Sequence, residues 1–363
     1  MKLHRFLDPI LYWLVGRQQR PSPASGILII SAGGLGDTVL FSQVVGRFAS
    51  LAQPDEPVTL LLRSDAKSMA FVFPPNFQIV TVDYAKLRGI GYRLEIFKSL
   101  WNAHYRIVIH GDYLRHPDLD ESLVKAAGVN LAYAMEPRAS SKHDRRLLAN
   151  RRLYSTLVET GPKLRDKMLR WFDFANAVTG HSEVPSQLRI AVEPARLERP
   201  TAVLQPFSAV KLKQSPPELW ARLIKAMPAG WDILIAGHPN DLDRNPDYQV
   251  LLSLEGVRFE GTPFKALAPI LAAAKLVVSV DTACLHLAAL VGAPTVCLGS
   301  AAYVGEIVPY APEIAPDTMT VFHQSCSHQG CLGACVYPPE RGMYPCVAAL
   351  DGDEIEAWIK AHV

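Results

Sequence analysis

The chain has 363 residues, 49% of them apolar, which is enough for two cores of ordinary size. Its 37 basic and 35 acidic residues leave a net charge of +2, against a general nucleic-acid binder, which needs a strong basic bias. No run of 18 apolar residues occurs, so no spanning helix is expected, and six cysteines in a chain this long argue against a secreted disulfide scaffold and for the cytoplasm.

Residues 1–20, MKLHRFLDPILYWLVGRQQR, set an apolar stretch between basic ends. Asp8 and Pro9 inside it, with no small-residue cleavage site after it, argue against a signal peptide. Residues 1–25 read instead as an amphipathic extension, with a short helix capped by Asp8, started at Pro9 and ended by Gly16. Leu7, Ile10, Leu11, Leu14 and Val15 would share one face, which packs on the protein body or lies on a membrane surface.

From residue 26, continuous apolar strands alternate with helices, the pattern of a parallel sheet covered on both faces. ILIIS (27–31) is a buried strand and 36–51 a helix; VTLLL (58–62), IVTVD (79–83) and YRIVIHGD (105–112) are further strands. A helix around 163–179 closes a first unit, 26–180. Residues 181–200 are polar, hold three prolines and read as a linker. The pattern restarts in a second unit, 201–350. Its strands fall at 201–205, 231–237, 257–261, 275–281 and 294–299, and its helices at 217–227, 263–274 and 282–291. A last helix, at 352–361 within 351–363, can cross back onto the first half. The economical architecture is α/β, two Rossmann-like domains with a cleft between them.

The loop in SAGGLGDTVL (31–40) has the strand–glycine–helix form that cradles phosphate. The specific fingerprints fail. Counting from Gly34, the third position is Gly36 but the sixth is Val39. The next strand runs into Arg63 and Ser64 rather than an acidic residue, and no G-K-[ST] exists. What remains is Asp37 in the first turn of a helix. It either favours the helix dipole or holds a carboxylate at the carboxyl end of a parallel sheet, where ligands of such folds bind.

VVSVDTACLHLAALVGAPTVCLG (277–299) says more. A strand ends at Asp281, Thr282 and Ala283 open a helix, and His286 lies in its first turns. Helix N–H groups, a hydroxyl and an imidazole suit a pyrophosphate; the alternative is a helix capped by Asp281 over a buried, satisfied histidine. In LQPFSAVKLKQSPPELW (204–220) a strand leads to a loop with Ser208, Lys211 and Lys213, either phosphate ligands or solvated lysines.

Together these stretches resemble glycosyltransferase family 9, which includes the ADP-heptose:lipopolysaccharide heptosyltransferases. ILIISAGGLGDTVLFSQVVGRF is similar to the family's opening strand, small-residue loop, Gly-Asp and apolar helix. LQPFSAVKLKQSPPELWARL resembles its second-domain strand, lysine, proline and tryptophan region. The 277–299 stretch resembles its Asp-Thr-Gly-x-x-His-Leu-Ala-Ala segment, with Ala283 where the family usually has glycine. The likeness runs from residue 26 to about 350.

The resemblance implies the GT-B architecture and an inverting transfer from a nucleotide-activated sugar, ADP-heptose first among the donors. The donor would sit on the second domain and the acceptor on the first. Asp37 maps as the general base, with Gly34 and Gly36 beside the acceptor. Ser208, Lys211, Lys213, Asp281, Thr282, Ala283 and His286 map to the leaving diphosphate, Gly237, Asn240 and Asp241 to the ribose, and Glu260 and Gly261 to the base. Lysine and helix N-terminus would replace a divalent metal, so no catalytic cofactor is expected. His110, Asp112 and Arg115, which follow the strand at 105–109, are expected at the acceptor, with Arg63 and Arg138 meeting its phosphates or carboxylates. A lipopolysaccharide-type acceptor would place the protein on the inner face of the cytoplasmic membrane. A protein acceptor is the alternative within the family; a nucleotide-sugar epimerase or an inactive scaffold of this architecture are alternatives outside it.

CSHQGCLGACVYPPERGMYPC puts Cys326, Cys331, Cys335 and Cys346 within 21 residues. Four thiolates can build a structural iron or zinc site; reduced buried thiols and a disulfide are the other readings.

Overall fold

The computed structural model describes residues 4–182, 185 and 188–363. The chain divides into two compact units, 1–163 with 168–184, and 164–167 with 185–363.

The first unit holds β1 (Ile27–Ser31), β2 (Val58–Arg63), β3 (Gln78–Val82), β4 (Ile107–His110), β5 (Leu131–Met135) and β6 (Thr156–Val158). They form one parallel sheet in the order β3-β2-β1-β4-β5-β6. Between and around them run α1 (His4–Gly16), α2 (Leu35–Ala49), α3 (Ile90–Ala103), α4 (Asp120–Ala127), α5 (Asp144–Asn150) and α6 (Lys167–Thr179). β1 is buried along its whole length, as an unbroken apolar run requires when both faces of the sheet are covered. Leu28, Ile30 and Val108 of the sheet pack with Leu11 and Val15 of α1, Phe97 and Leu100 of α3 and Leu123 of α4.

The second unit holds β7 (Thr201–Gln205), β8 (Asp232–Ala236), β9 (Val257–Glu260), β10 (Leu276–Val280), β11 (Thr295–Leu298) and β12 (Met319–Phe322). Their order is β12-β11-β10-β7-β8-β9, again parallel. Counted from its own first strand, each sheet has the same winding. The order reverses between the first and fourth strands: β1 and β4 in one unit, β7 and β10 in the other. The helices are α7 (Pro217–Ala226), α8 (Asp241–Arg244), α9 (Phe264–Ala273), α10 (Ala283–Leu290), α11 (Pro345–Ala348) and α12 (Gly352–His362). Trp220 of α7 and Ile355 and Ile359 of α12 are buried in the core of this sheet.

Three expectations change. α12 belongs to the second unit: beside its core contacts, its Asp353 and Glu356 pair with Arg222 of α7. α1 starts at His4 and continues through Pro9. Asp8 does not cap it but pairs with the buried Arg93 of α3 at 2.6 Å, and the inward face is Leu11 and Val15, not Ile10 and Leu14. β5, β6 and β12 add three strands to those expected: β6 is three residues long, β12 is interrupted by Thr320, and β5, though apolar throughout, holds two alanines and is partly exposed. Among the described residues no helix is long and apolar enough to cross a membrane.

Candidate active site

Open parallel sheets bind ligands where the strand order reverses, beyond the carboxyl ends of the strands. In the first unit that point lies between β1 and β4. β1 leads through Ala32 and Gly33 to Gly34, the extended N-cap of α2 (φ −76°, ψ −172°). Asp37 turns back from the first turn, and its Oδ2 accepts the Gly34 N–H at 3.2 Å. Gly33 makes room for this, since a Cβ there would lie 2.5 Å from the Asp37 Cβ. The small-residue loop thus lets a half-buried carboxylate fold back on the chain at the sheet edge.

From the β4 side, Asp112 Oδ2 accepts the Ala32 N–H at 2.6 Å and ties that loop down. His110, the last residue of β4, is fully buried. Its Nδ1 is 2.9 Å from the Tyr154 hydroxyl, and its Nε2 is 3.6 Å from Asp112 Oδ2. Burial, helped by the Arg115 charge, holds this imidazole well below its ordinary pKa, so it is neutral. Arg115 is not an outward cation: it is buried, donates to Glu121 Oε1 at 3.0 Å and also meets the Met135 carbonyl. Arg63 pairs with Asp65 at the surface. Arg138 is half-buried, and its backbone N–H is bonded to Tyr113 O. Two residues without a sequence signal join this cluster. Burial and the Asp112 charge push the Asp120 carboxyl up to about 8, and the Tyr84 hydroxyl lies buried near Asp112 and Asp120.

In the second unit the switch point lies between β7 and β10. Thr282 is the extended N-cap of α10, yet its side chain makes no cap hydrogen bond. Its Oγ1 donates instead to Gln205 Oε1 at 2.9 Å, and Gln205, the last residue of β7, also accepts from Ser279 Oγ at 3.2 Å. The leading N–H groups of α10 therefore receive no cap from the Thr282 side chain, a condition that suits anion binding at a helix N-terminus. Lys213 Nζ donates to Asp281 Oδ2 at 2.7 Å, both side chains largely buried, and lies 3.9 Å from the Tyr303 ring centre. His286 Nε2 is 3.7 Å from Asp281 Oδ1, and its Nδ1 is 2.5 Å from the Tyr310 hydroxyl. Gln205, Tyr303 and Tyr310 had no sequence signal; they are found only because the sheet and a distant loop bring them here.

The two candidate lysines separate. Lys211 Nζ donates to the Arg244 carbonyl at 3.0 Å, away from Asp281. Ser208 accepts the Val210 N–H within its own turn. Ala283 is buried at the start of α10. Gly237 and Asp241 follow β8: a Cβ on Gly237 would lie 2.8 Å from the Phe207 ring, and Asp241 Oδ2 accepts the His238 N–H at 2.7 Å. Asn240 is the exposed N-cap of α8. Glu260 ends β9 and accepts the Thr262 N–H at 2.9 Å, with Gly261 beside the Phe259 ring.

Cys326, Cys331, Cys335 and Cys346 line one pocket with Tyr337 and Tyr344, and all are free thiols. Among the described residues no three His, Cys, Asp or Glu side chains are arranged to hold a metal ion. The fold gathers the four thiols without converging them into a ligand set.

Residues 94–335 match the model of glycosyltransferase family 9 (heptosyltransferase). No curated protein matches at a significant level. Among solved structures the chain is similar to the family 9 glycosyl transferase of Veillonella parvula DSM 2008 (15% identity, 93% of this chain and 98% of that one, TM-score 0.68). It is similar also to the E. coli ADP-heptose lps heptosyltransferase II (14% identity, 93% and 98%, TM-score 0.67) and to E. coli heptosyltransferase WaaC with ADP (19% identity, 93% and 99%, TM-score 0.66). At such identities these likenesses speak for the fold, the GT-B type. The family match covers well over half of the chain and takes in Lys213, Asp281 and His286, and with it the chain belongs to glycosyltransferase family 9 and is a glycosyltransferase.

Proposed function

We propose that the protein moves a heptose from ADP-heptose to a hydroxyl of a lipopolysaccharide-type acceptor, with inversion at the anomeric carbon. The observation that carries this is the Lys213–Asp281–His286 cluster at the uncapped N-terminus of α10. Such a site takes a diphosphate: the helix offers N–H groups, and Lys213 a charge that Asp281 keeps in place until a stronger anion arrives. Similar proteins are an ADP-heptose lps heptosyltransferase and a heptosyltransferase with ADP, which supports the donor and the acceptor class.

In this reading the acceptor oxygen attacks the anomeric carbon while Asp37 takes its proton. The bond from that carbon to the diphosphate oxygen breaks, and the charge growing on the diphosphate is met by Lys213, His286 and the α10 N–H groups. Gln205 positions Thr282. Gly237, Asn240, Asp241, Glu260 and Gly261 are assigned to the nucleoside. Gly34, Gly36, Arg63, Arg138 and the His110–Asp112 pair are assigned to the acceptor side; Arg115, committed to Glu121, is not. Charge neutralisation by Lys213 and the helix makes a catalytic metal unnecessary here. The four-cysteine pocket, whose thiols do not converge into a ligand set, is given a structural role as a cluster of free thiols packed with Tyr337 and Tyr344; elemental analysis of untagged protein checks this, and one iron or zinc per chain would overturn it. The reaction is placed on the cytoplasmic face of the inner membrane, where such an acceptor is presented.

The test is ADP release from ADP-heptose with lipid-linked and protein acceptors, beside the Asp37→Asn variant. Release that needs an acceptor and fails in the variant supports the reading. Release without any acceptor, or none with any nucleotide sugar, overturns it.

A further inference from the structure

The two faces of α1 differ in an unusual way. Asp8, Leu11 and Val15 face inward: Leu11 and Val15 are in the core and Asp8 is paired with Arg93. Tyr12 stacks on Phe97 of α3, with ring centroids 4.9 Å apart. On the other side Phe6 is 68% exposed, Ile10 52%, Trp13 55% and Leu14 42%. With 3.6 residues per turn these four lie in an arc of about 100°, opposite the packed face. They form an apolar ridge on a helix of about 20 Å, held rigidly by a buried ion pair and an aromatic stack. No other stretch of the described chain exposes four large apolar side chains in nine residues.

The charges around this ridge are mostly positive, and two of the acids among them, Asp8 and Asp118, are paired with arginines. Residues 1–20 carry Lys2, Arg5, Arg17 and Arg20 against Asp8 alone, and Asp8 is neutralised by Arg93. Arg17 lies over the Trp13 ring at 4.0 Å, at the end of the ridge. At the other end Arg5 shares Asp118 with Arg146 of α5. That joins α1 to a second basic segment, 142–152, with Lys142, Arg145, Arg146, Arg151 and Arg152 against Asp144, Arg151 being paired with Glu136. An apolar ridge with aromatic residues, rimmed by cations, complements a surface that is apolar below and anionic above.

We propose that α1 docks the protein on an anionic lipid bilayer, with Phe6, Ile10, Trp13 and Leu14 entering the headgroup boundary and Arg17 and the 142–152 segment meeting lipid phosphates. This deepens the membrane placement made above by naming the contact. It does not depend on which sugar is moved, because docking is measured without donor or acceptor. It also inverts the expectation from sequence, in which Leu11 and Val15 shared the docking face.

The test is co-sedimentation of the full chain with vesicles of phosphatidylglycerol and phosphatidylethanolamine, beside vesicles of phosphatidylcholine alone. The Ile10→Asn, Trp13→Ser double variant changes only exposed side chains. Its melting temperature should match wild type, and its partitioning onto anionic vesicles should fall at least about tenfold. High salt should weaken wild-type binding, and Arg17→Gln should lower it further from the low-salt value. Equal binding of wild type to both vesicle types, or undiminished binding of the double variant, overturns the proposal. So does light scattering that finds a dimer which the double variant dissolves, because the ridge would then belong to a second copy of the chain.

Discussion

At the first switch point His110 turns its Nδ1 to Tyr154 and sets its Nε2 3.6 Å from Asp112; at the second, His286 turns its Nδ1 to Tyr310 and sets its Nε2 3.7 Å from Asp281. The two units thus share a winding and a tyrosine–histidine–aspartate set, and part ways at the carboxylate. Asp112 is bound to a backbone N–H, that of Ala32, which is fixed in the chain. Asp281 is bound to Lys213, whose flexible stem lets it change partner. The helix ends differ in the same sense. Asp37 of the chain itself meets the start of α2, while the start of α10 carries no side-chain cap. One corner turns a carboxylate back onto the N–H of its own N-cap, Gly34. The other leaves its helix end without a side-chain cap and sets Lys213 beside Asp281. In the proposed reading, matching topology makes a base in one unit and an anion site in the other, according to which side chain reaches the helix end.

The largest test of this contrast is Asp37→Asn. The amide keeps the size and the reach to Gly34 but loses the base. Turnover should fall by about 10²–10⁴-fold, while calorimetry shows ADP affinity unchanged. Lost ADP affinity would place the nucleotide at the wrong corner and break the comparison.

Lys213→Ala comes next. Removing a charge-assisted contact of about 1.5–3 kcal/mol should weaken ADP binding roughly 10- to 100-fold. His286→Ala should act in the same direction, and unchanged affinity in both would remove the anion site.

A third test concerns how closed the first corner is. In the unfolded chain Asp120 ionises near 4, but in the folded protein it keeps its proton to about 8, because burial and the Asp112 charge oppose ionisation. Folding stability should therefore fall as pH rises between about 4 and 8, and be flat with respect to this group outside that window. Asp120→Asn lacks the penalty and keeps an oxygen for the His116 N–H. Its stability relative to wild type should grow by about 1.4 kcal/mol per pH unit in that window. Denaturant midpoints at pH 5, 6 and 7 read this, and a constant difference would mean that the corner is wet.

The smallest effect belongs to Lys211→Ala. Its amine meets a carbonyl away from Asp281, so ADP affinity should move less than about twofold, within the usual range for a surface change. A loss equal to that of Lys213→Ala would mean that the loop rearranges to use both lysines.

Much of this protein was legible in its sequence. Buried parallel strands must be continuous apolar runs, so ILIIS, VTLLL and TAVLQ could be placed by reading alone, as could the two successive units. Asp37 and Asp281 were legible because each follows such a strand and opens a helix, a local pattern. What stayed hidden was set by contacts between residues far apart in the chain. Asp8 and Arg93 are 85 positions apart, and their pairing turned α1 over. Gln205 and Thr282, 77 apart, meet only because β7 and β10 are neighbours in the sheet. Lys211 and Lys213 look alike in sequence, yet only Lys213 reaches Asp281, 68 residues away. Arg115 read as an acceptor contact, but β5 and α4 close over it with Met135 and Glu121. Periodicity and local motifs fix which segments form strands and helices, because those depend on neighbours a few residues apart. Which charges are buried, paired or left to a ligand is decided by the tertiary fold, because the free energy of a charge depends on what surrounds it in space.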